Sequence, residues 1–108
     1  MFDEPLVTFV GKSGKKYTYM VFEIGEAFGA APANYIFCKE TTEGKLRAIY
    51  IGQTGNFSES FGNHPRMPCI KQEGATHICA HKSSGSEPTR KAEEDDLIAK
   101  YNPICNRQ

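Results

Sequence analysis

Two stretches alternate β-branched and aromatic residues around a short glycine turn, and they limit what this chain can fold into more than anything else in it. They are "LVTFVGKSGKKYTYMVFEIG" and "YIFCKETTEGKLRAIYIGQ". Valine, isoleucine, threonine and the aromatics suit a pleated, half-buried surface, and glycine supplies the positive φ of a tight turn. Each stretch therefore reads as a β-hairpin. The "GKSGKK" turn lacks the spacing of a phosphate loop and no helix pattern follows it, so it reads as an ordinary turn. A four-residue turn at "TTEG" would set Glu40 against Lys45 and Tyr35 opposite Tyr50, two phenols on one sheet face. A slip of one residue would separate them.

Further along, Asn56 can N-cap a short helix, "FSESFGNH", whose buried face would be Phe57 and Phe61. Ser60 and His64 would share a neighbouring face, and Pro65 and Pro68 would end the helix. "GATHICAH" reads as another strand, with Thr76, Ile78 and Ala80 on one face and His77, Cys79 and His81 on the other. Pro88 suits the first turn of a helix running to about Tyr101, with Leu97, Ile98 and Tyr101 as its apolar stripe. The order hairpin, hairpin, helix, strand, helix predicts one α+β domain over residues 1–108. An N-terminal β-hairpin at 1–25 would extend a core at 33–106, the hairpin serving as a dimer edge or a lid.

The formal net charge of +0 excludes a strongly basic, generic polyanion binder. A local groove lined by Arg47, Arg66, Lys71, Arg90 and Lys91 is still open to it. Four cysteines without a CxxC pair suggest reduced thiols. "MFDEPL" carries no targeting pattern and no apolar run approaches the roughly 18 residues of a membrane span, so a cytoplasmic protein is expected. His64, Cys69, His77, Cys79 and His81 raise the question of zinc, but no pair has finger spacing.

Glu94 is the most informative acidic residue. It lies four residues before Ile98 and seven before Tyr101, so it should point at the sheet. A carboxylate turned inward must gain a hydrogen bond, a cation or a proton. Its neighbours Glu93, Asp95 and Asp96 read as a solvated face.

With "APANYIF", "YIGQTGN" and "EDDLIAKYNPICN" in that order, the chain resembles the GIY-YIG nuclease domains over about residues 33–106. The resemblance implies a small three-stranded antiparallel sheet flanked by helices. It also implies phosphodiester cleavage with one Mg or Mn ion. Tyr35 and Tyr50 would be the signature tyrosines that position water, Glu94 the metal-binding carboxylate, and Asn106 a supporting amide. His64 falls where some members place a general base. Where the family carries an arginine, this chain has Ser60, and Ala33 replaces a usual glycine. A hydroxyl brings no positive charge to the transition state, a loss on the order of 10²–10³ in rate. Arg66 is the first candidate to replace it. The expectation is a nucleic-acid binder, DNA favoured and single-stranded or branched, with weak or absent cleavage. An active endonuclease using Arg66, and an interaction module keeping only the fold, are the alternatives.

Overall fold

The structure is a computed structural model that describes residues 5–58, 64–82 and 85–107. Both hairpins form, and by the same device. In the first, β1 (Leu6–Val10) and β2 (Lys16–Glu23) close where Gly11 N–H donates to Lys15 O at 2.8 Å, with Gly14 at φ +92°. In the second, β3 (Ala33–Glu40) and β4 (Leu46–Thr54) close where Thr41 N–H donates to Lys45 O at 2.7 Å, with Gly44 at φ +77°. Each loop is three residues with glycine in the left-handed position, a common hairpin connection.

β5 (His77–Lys82) lies between the two hairpins, pairing Met20 with Ala80 on one side and Ile36 with Cys79 on the other. The result is one curled, wholly antiparallel sheet in the order β1-β2-β5-β3-β4. This corrects the expected fold, a three-stranded sheet flanked by helices with an appended hairpin. The β1–β2 hairpin, expected to extend a separate core, does not, because β2 satisfies the free edge of β5 and makes the hairpin part of the sheet. The helix expected over "FSESFGNH" falls mostly on residues outside those described, Ser60 and Phe61 among them.

Only two α-helices occur among the described residues. α1 (Met67–Gln72) begins where the prolines were expected to end a helix, since Pro68 sits in its first turn and loses no needed N–H. α2 (Glu87–Tyr101) matches its expected span and is followed by a 3₁₀ turn, Ile104–Asn106. None of the described helices is long and apolar enough to cross a membrane.

The sheet has a core on each face. Tyr35, Phe37, Ile78 and Ala80 pack with Phe57, Ile70 of α1 and Cys105 on one face. Ile36, Cys38, Ile51 and Cys79 pack with Phe9, Tyr19 and Leu97 of α2 on the other. α2 therefore covers the face opposite the tyrosines, not the face that carries them.

Two carboxylates hold α2 in place. Tyr19 O–H donates to Glu93 Oε2 at 2.6 Å, and the His81 Nε2 lies at 2.6 Å from the same oxygen. Ser13 donates to Asp96 through both N–H and Oγ, and Tyr17 O–H donates to Asp96 Oδ2 at 2.8 Å. Burial and the Asp96 carboxylate push the Tyr17 hydroxyl up to about 12, so it stays a donor. Gly11 is required beside this clamp, because a Cβ there would lie 2.0 Å from Asp96 Oδ2. Glu93 and Asp96, expected in solvent, are thus structural.

Cys69 and Cys105 form a disulfide with Cα atoms 5.8 Å apart, contrary to the expectation of four reduced thiols. Proximity in the fold, invisible in their spacing of 36 residues, joins them. Cys38 and Cys79 are free and buried, with sulfurs 3.7 Å apart. The bond closes a long loop, so Cys69→Ser should lower stability by about 2–4 kcal/mol, read from urea unfolding of oxidised parent and variant. Reduced parent should unfold close to the variant.

Candidate functional site

The site begins with an irregularity in β4. From Ala33 to Phe37, β3 pairs with Thr54 to Tyr50; from Cys38 onward the register shifts by one, and Ile49 has no partner. The three-residue turn alone would set Tyr35 opposite Ile51 and send Tyr50 to the α2 face. The bulge turns Tyr50 back to the face of Tyr35. It also leaves Arg47, opposite Lys39, on that same face.

Tyr35 therefore stands opposite Gly52 and Phe37 opposite Tyr50, which corrects the expected Tyr35–Tyr50 pairing. The two phenols still meet diagonally, with ring centroids 6.2 Å apart and planes at 33°. Gly52 makes the room. A Cβ there would lie 2.6 Å from both Cζ and the hydroxyl of Tyr35 and 3.0 Å from Tyr50 Cε2.

His64, just before α1, closes over this pair. Its Nε2 is 2.9 Å from the Tyr35 hydroxyl, and its ring meets that of Tyr50 edge-on at 4.9 Å. Arg66 N–H donates to His64 Nδ1 at 3.0 Å, which makes Nδ1 the acceptor and assigns the proton to Nε2. Nε2–H then donates to the Tyr35 oxygen. Burial first and the Arg66 charge second lower the His64 pKa, holding the ring neutral. In this arrangement His64 orients Tyr35; the general base expected of it would need another tautomer.

Glu94, on α2, acts electrostatically on both tyrosines, so charge from one side of the sheet bears on phenols of the other beside β4, the edge strand. Burial chiefly, then the Tyr50 and Glu94 charges, raises the pKa of Tyr35. Burial and Glu94 raise that of Tyr50, while Arg66 and Lys91 oppose the rise. Both phenols therefore remain hydrogen-bond donors at neutral pH. The Glu94 side chain is only 13% exposed, and its Oε1 is 3.0 Å from Lys91 Nζ. Lys91 also lies 3.1 Å from Asp95. This i,i+3 spacing is readable from the sequence as a helix-face ion pair, and it ties Lys91, expected in the basic groove, to Glu94.

The other expected residues divide. Asn106 supports rather than touches the site: its amide accepts from Ile51 N–H at 2.8 Å and donates to Ile51 O at 2.9 Å, between Tyr50 and Gly52. Arg90 is buried and structural, donating to Gln53 Oε1 at 3.0 Å and to Gly85 O at 3.2 Å, so it is removed from the basic groove. Arg47 and Lys71 are exposed. Gln53 escaped the sequence reading, since nothing in "YIGQTGN" says that its partner is an arginine on α2. Ser60 lies outside the described residues.

Tyr35, Tyr50, His64 and Arg66 thus lie together, and the Glu94 and Lys91 charges act on the tyrosines from α2. Hydroxyl donors and two cations suit an anionic, oxygen-rich group such as a phosphodiester. No group of three histidine, cysteine or acidic side chains is placed to hold a metal among the described residues. Cys69 is committed to its disulfide, which removes it from any zinc set. Comparison with protein-family models, with curated proteins and with solved structures finds no match.

Two outcomes test this geometry. Gly52→Ala should cost about 1–3 kcal/mol by overpacking against the buried Tyr35 ring, measured by urea unfolding, and should change the NMR titration of His64. In the parent, His64 should titrate below the ordinary histidine value of 6.5 and His81, whose hydrogen bond to Glu93 raises it, above. Stability from the His81–Glu93 bond is present below 6.5 and lost as pH rises through the raised value. The neutral preference of His64 acts oppositely, its contribution being lost as pH falls from 6.5 toward the lowered value. Of the two histidines, Arg66→Ala should move only His64, upward.

Proposed function

We propose that this chain is a GIY-YIG-like nucleic-acid-processing domain that binds a phosphodiester at the Tyr35–Tyr50–His64–Arg66–Glu94 cluster and cleaves it slowly or not at all. The observation that carries this reading is the packing of His64 against Tyr35 and Tyr50, with the Arg66 and Glu94 charges acting on them, four separate segments contributing. The phenols and the Arg66 and Lys91 cations would hold the phosphate oxygens. Slow cleavage follows from the same geometry. His64 has its protons arranged as a positioning group, and Lys91 already neutralises Glu94.

A divalent ion fits the donor set in one manner only. Glu94 is a single, nearly buried carboxylate, and Mg commonly binds through one or two carboxylates together with substrate phosphate oxygens. Mg or Mn bound there would supply positive charge to the phosphate, and Lys91 would have to move aside. The second reading, an active endonuclease with Arg66 as the replacing cation, is favoured by the Arg66 charge acting on both His64 and Tyr50. DNA is the favoured partner. A cytoplasmic setting would open the Cys69–Cys105 bond, which suits an oxidising compartment better.

The test is cleavage and binding of labelled single-stranded and duplex DNA with Mg²⁺ or Mn²⁺. Parent, Glu94→Gln, Arg66→Ala and Ser60→Arg are compared. The expected result is salt-sensitive binding with little cleavage by the parent, and binding weakened by Arg66→Ala. Rapid parent cleavage, abolished by Glu94→Gln and Arg66→Ala, would establish the second reading instead. Absence of both cleavage and binding would overturn both and leave an interaction module.

A further inference from the structure

On the tyrosine face, where neither α1 nor the 3₁₀ turn packs, the sheet keeps a cavity of about 380 Å³. Its walls are Phe22, Phe28 and Phe57, with Ala31, Ala33 and Ala80 leaving space between them. Phe57 N–H donates to Ala31 O at 2.8 Å, which fixes the loop wall against the sheet. Lys82 stands at the rim, exposed.

The rings here continue into the candidate site. Phe28 and Phe57 lie 4.2 Å apart at 31°, Phe57 and Tyr35 6.1 Å apart at 27°, and Tyr35 and Tyr50 6.2 Å apart at 33°. Four rings, each tilted 27–33° from the next, thus lead from the cavity to the phenols beside His64. Phe22 meets Phe28 edge-on at 5.1 Å and closes the far wall.

We infer that this cavity takes one unstacked nucleobase of a single strand whose backbone passes Lys82 and continues to the Tyr35–Tyr50 cluster. This deepens the nucleic-acid reading above and rests on it. A cavity walled by aromatic rings and alanines offers a base a ring to stack against, since stacking needs no hydrogen-bond partner and tolerates any base. A wholly apolar ligand would gain nothing from Lys82, whereas a nucleotide meets the rings with its base and the ammonium with its phosphate. The row of rings keeps the slot within a few nucleotides of the site.

The test is fluorescence anisotropy of a short, end-labelled single-stranded DNA in which one abasic residue is moved along the strand. Parent, Gly29→Leu and Phe28→Ala are compared. A Cβ on Gly29, which lines the cavity, meets nothing within 4 Å, so leucine adds apolar bulk at the cavity wall without a clash at its Cβ. One abasic position should weaken parent binding about tenfold, the effect of losing a stacked base, and should have no effect on either variant. Equal affinity for every abasic strand, with intact DNA bound well, would overturn the slot and leave the nucleic-acid reading standing. No binding of any strand would overturn both. A parent dimer broken by Gly29→Leu, with affinity indifferent to the abasic position, would overturn the inference and make the cavity a contact between copies.

Discussion

One unpaired residue, Ile49, decides which side of the sheet β4 presents to its surroundings. Side chains alternate along a strand, so a single extra residue exchanges the faces of everything beyond it. Before the bulge, Ala48 and Leu46 belong to the α2 core; after it, Tyr50 and Gly52 belong to the other face and Ile51 returns to the first. Without it, Tyr50 would compete with Leu97 for space, and Tyr35 would face Ile51 rather than a glycine. The close ring packing around Tyr35 depends on this shift, because Gly52 is where that phenol needs the missing side chain.

The second determinant is α2. At 15 residues it is about 22 Å long, close to the roughly 19 Å that separate the outer strands of five. It bonds to β4 near its start, through Arg90 and Gln53, and to the β1–β2 hairpin near its end, through Asp96 and Tyr101. Three of the four carboxylates at positions 93–96 therefore do two things. Glu93 and Asp96 accept tyrosine hydroxyls that fix the helix, and the fixed helix aims Glu94. Hydrogen bonds to ionised groups contribute about 1.5–3 kcal/mol each, enough to set a rotation that Leu97, the one buried apolar side chain of α2, would leave loose.

The strands, the long helix and the glycine turns were legible in the sequence because they rest on local rules: alternation, caps and positive φ. The separate status of the hairpin was not, since β2 reaches β5 across more than fifty intervening residues and nothing in either strand names its partner. The Tyr35–Tyr50 neighbourhood was reached by a register that the structure replaces, with the diagonal across Gly52 substituting for direct opposition. Glu94 was placed toward the sheet by helical spacing, and it does act on both tyrosines. The same spacing could not distinguish the solvated Asp95 from the anchoring Asp96, because hydroxyl partners come from a different part of the chain.

An open sheet leaves two outer strands with backbone groups available to any passing chain. Here both are partly blocked by the C-terminal quarter of the molecule. Asn106 spends its amide on Ile51 in β4, imitating one rung of a neighbouring strand, and the Tyr101 hydroxyl accepts from Val10 N–H in β1. Cys105, covalently tied to Cys69, keeps the first of these plugs from swinging away. The last few residues thus act as a stopper against strand-by-strand growth, and resistance to aggregation becomes a property of the tail rather than of the strands it shields.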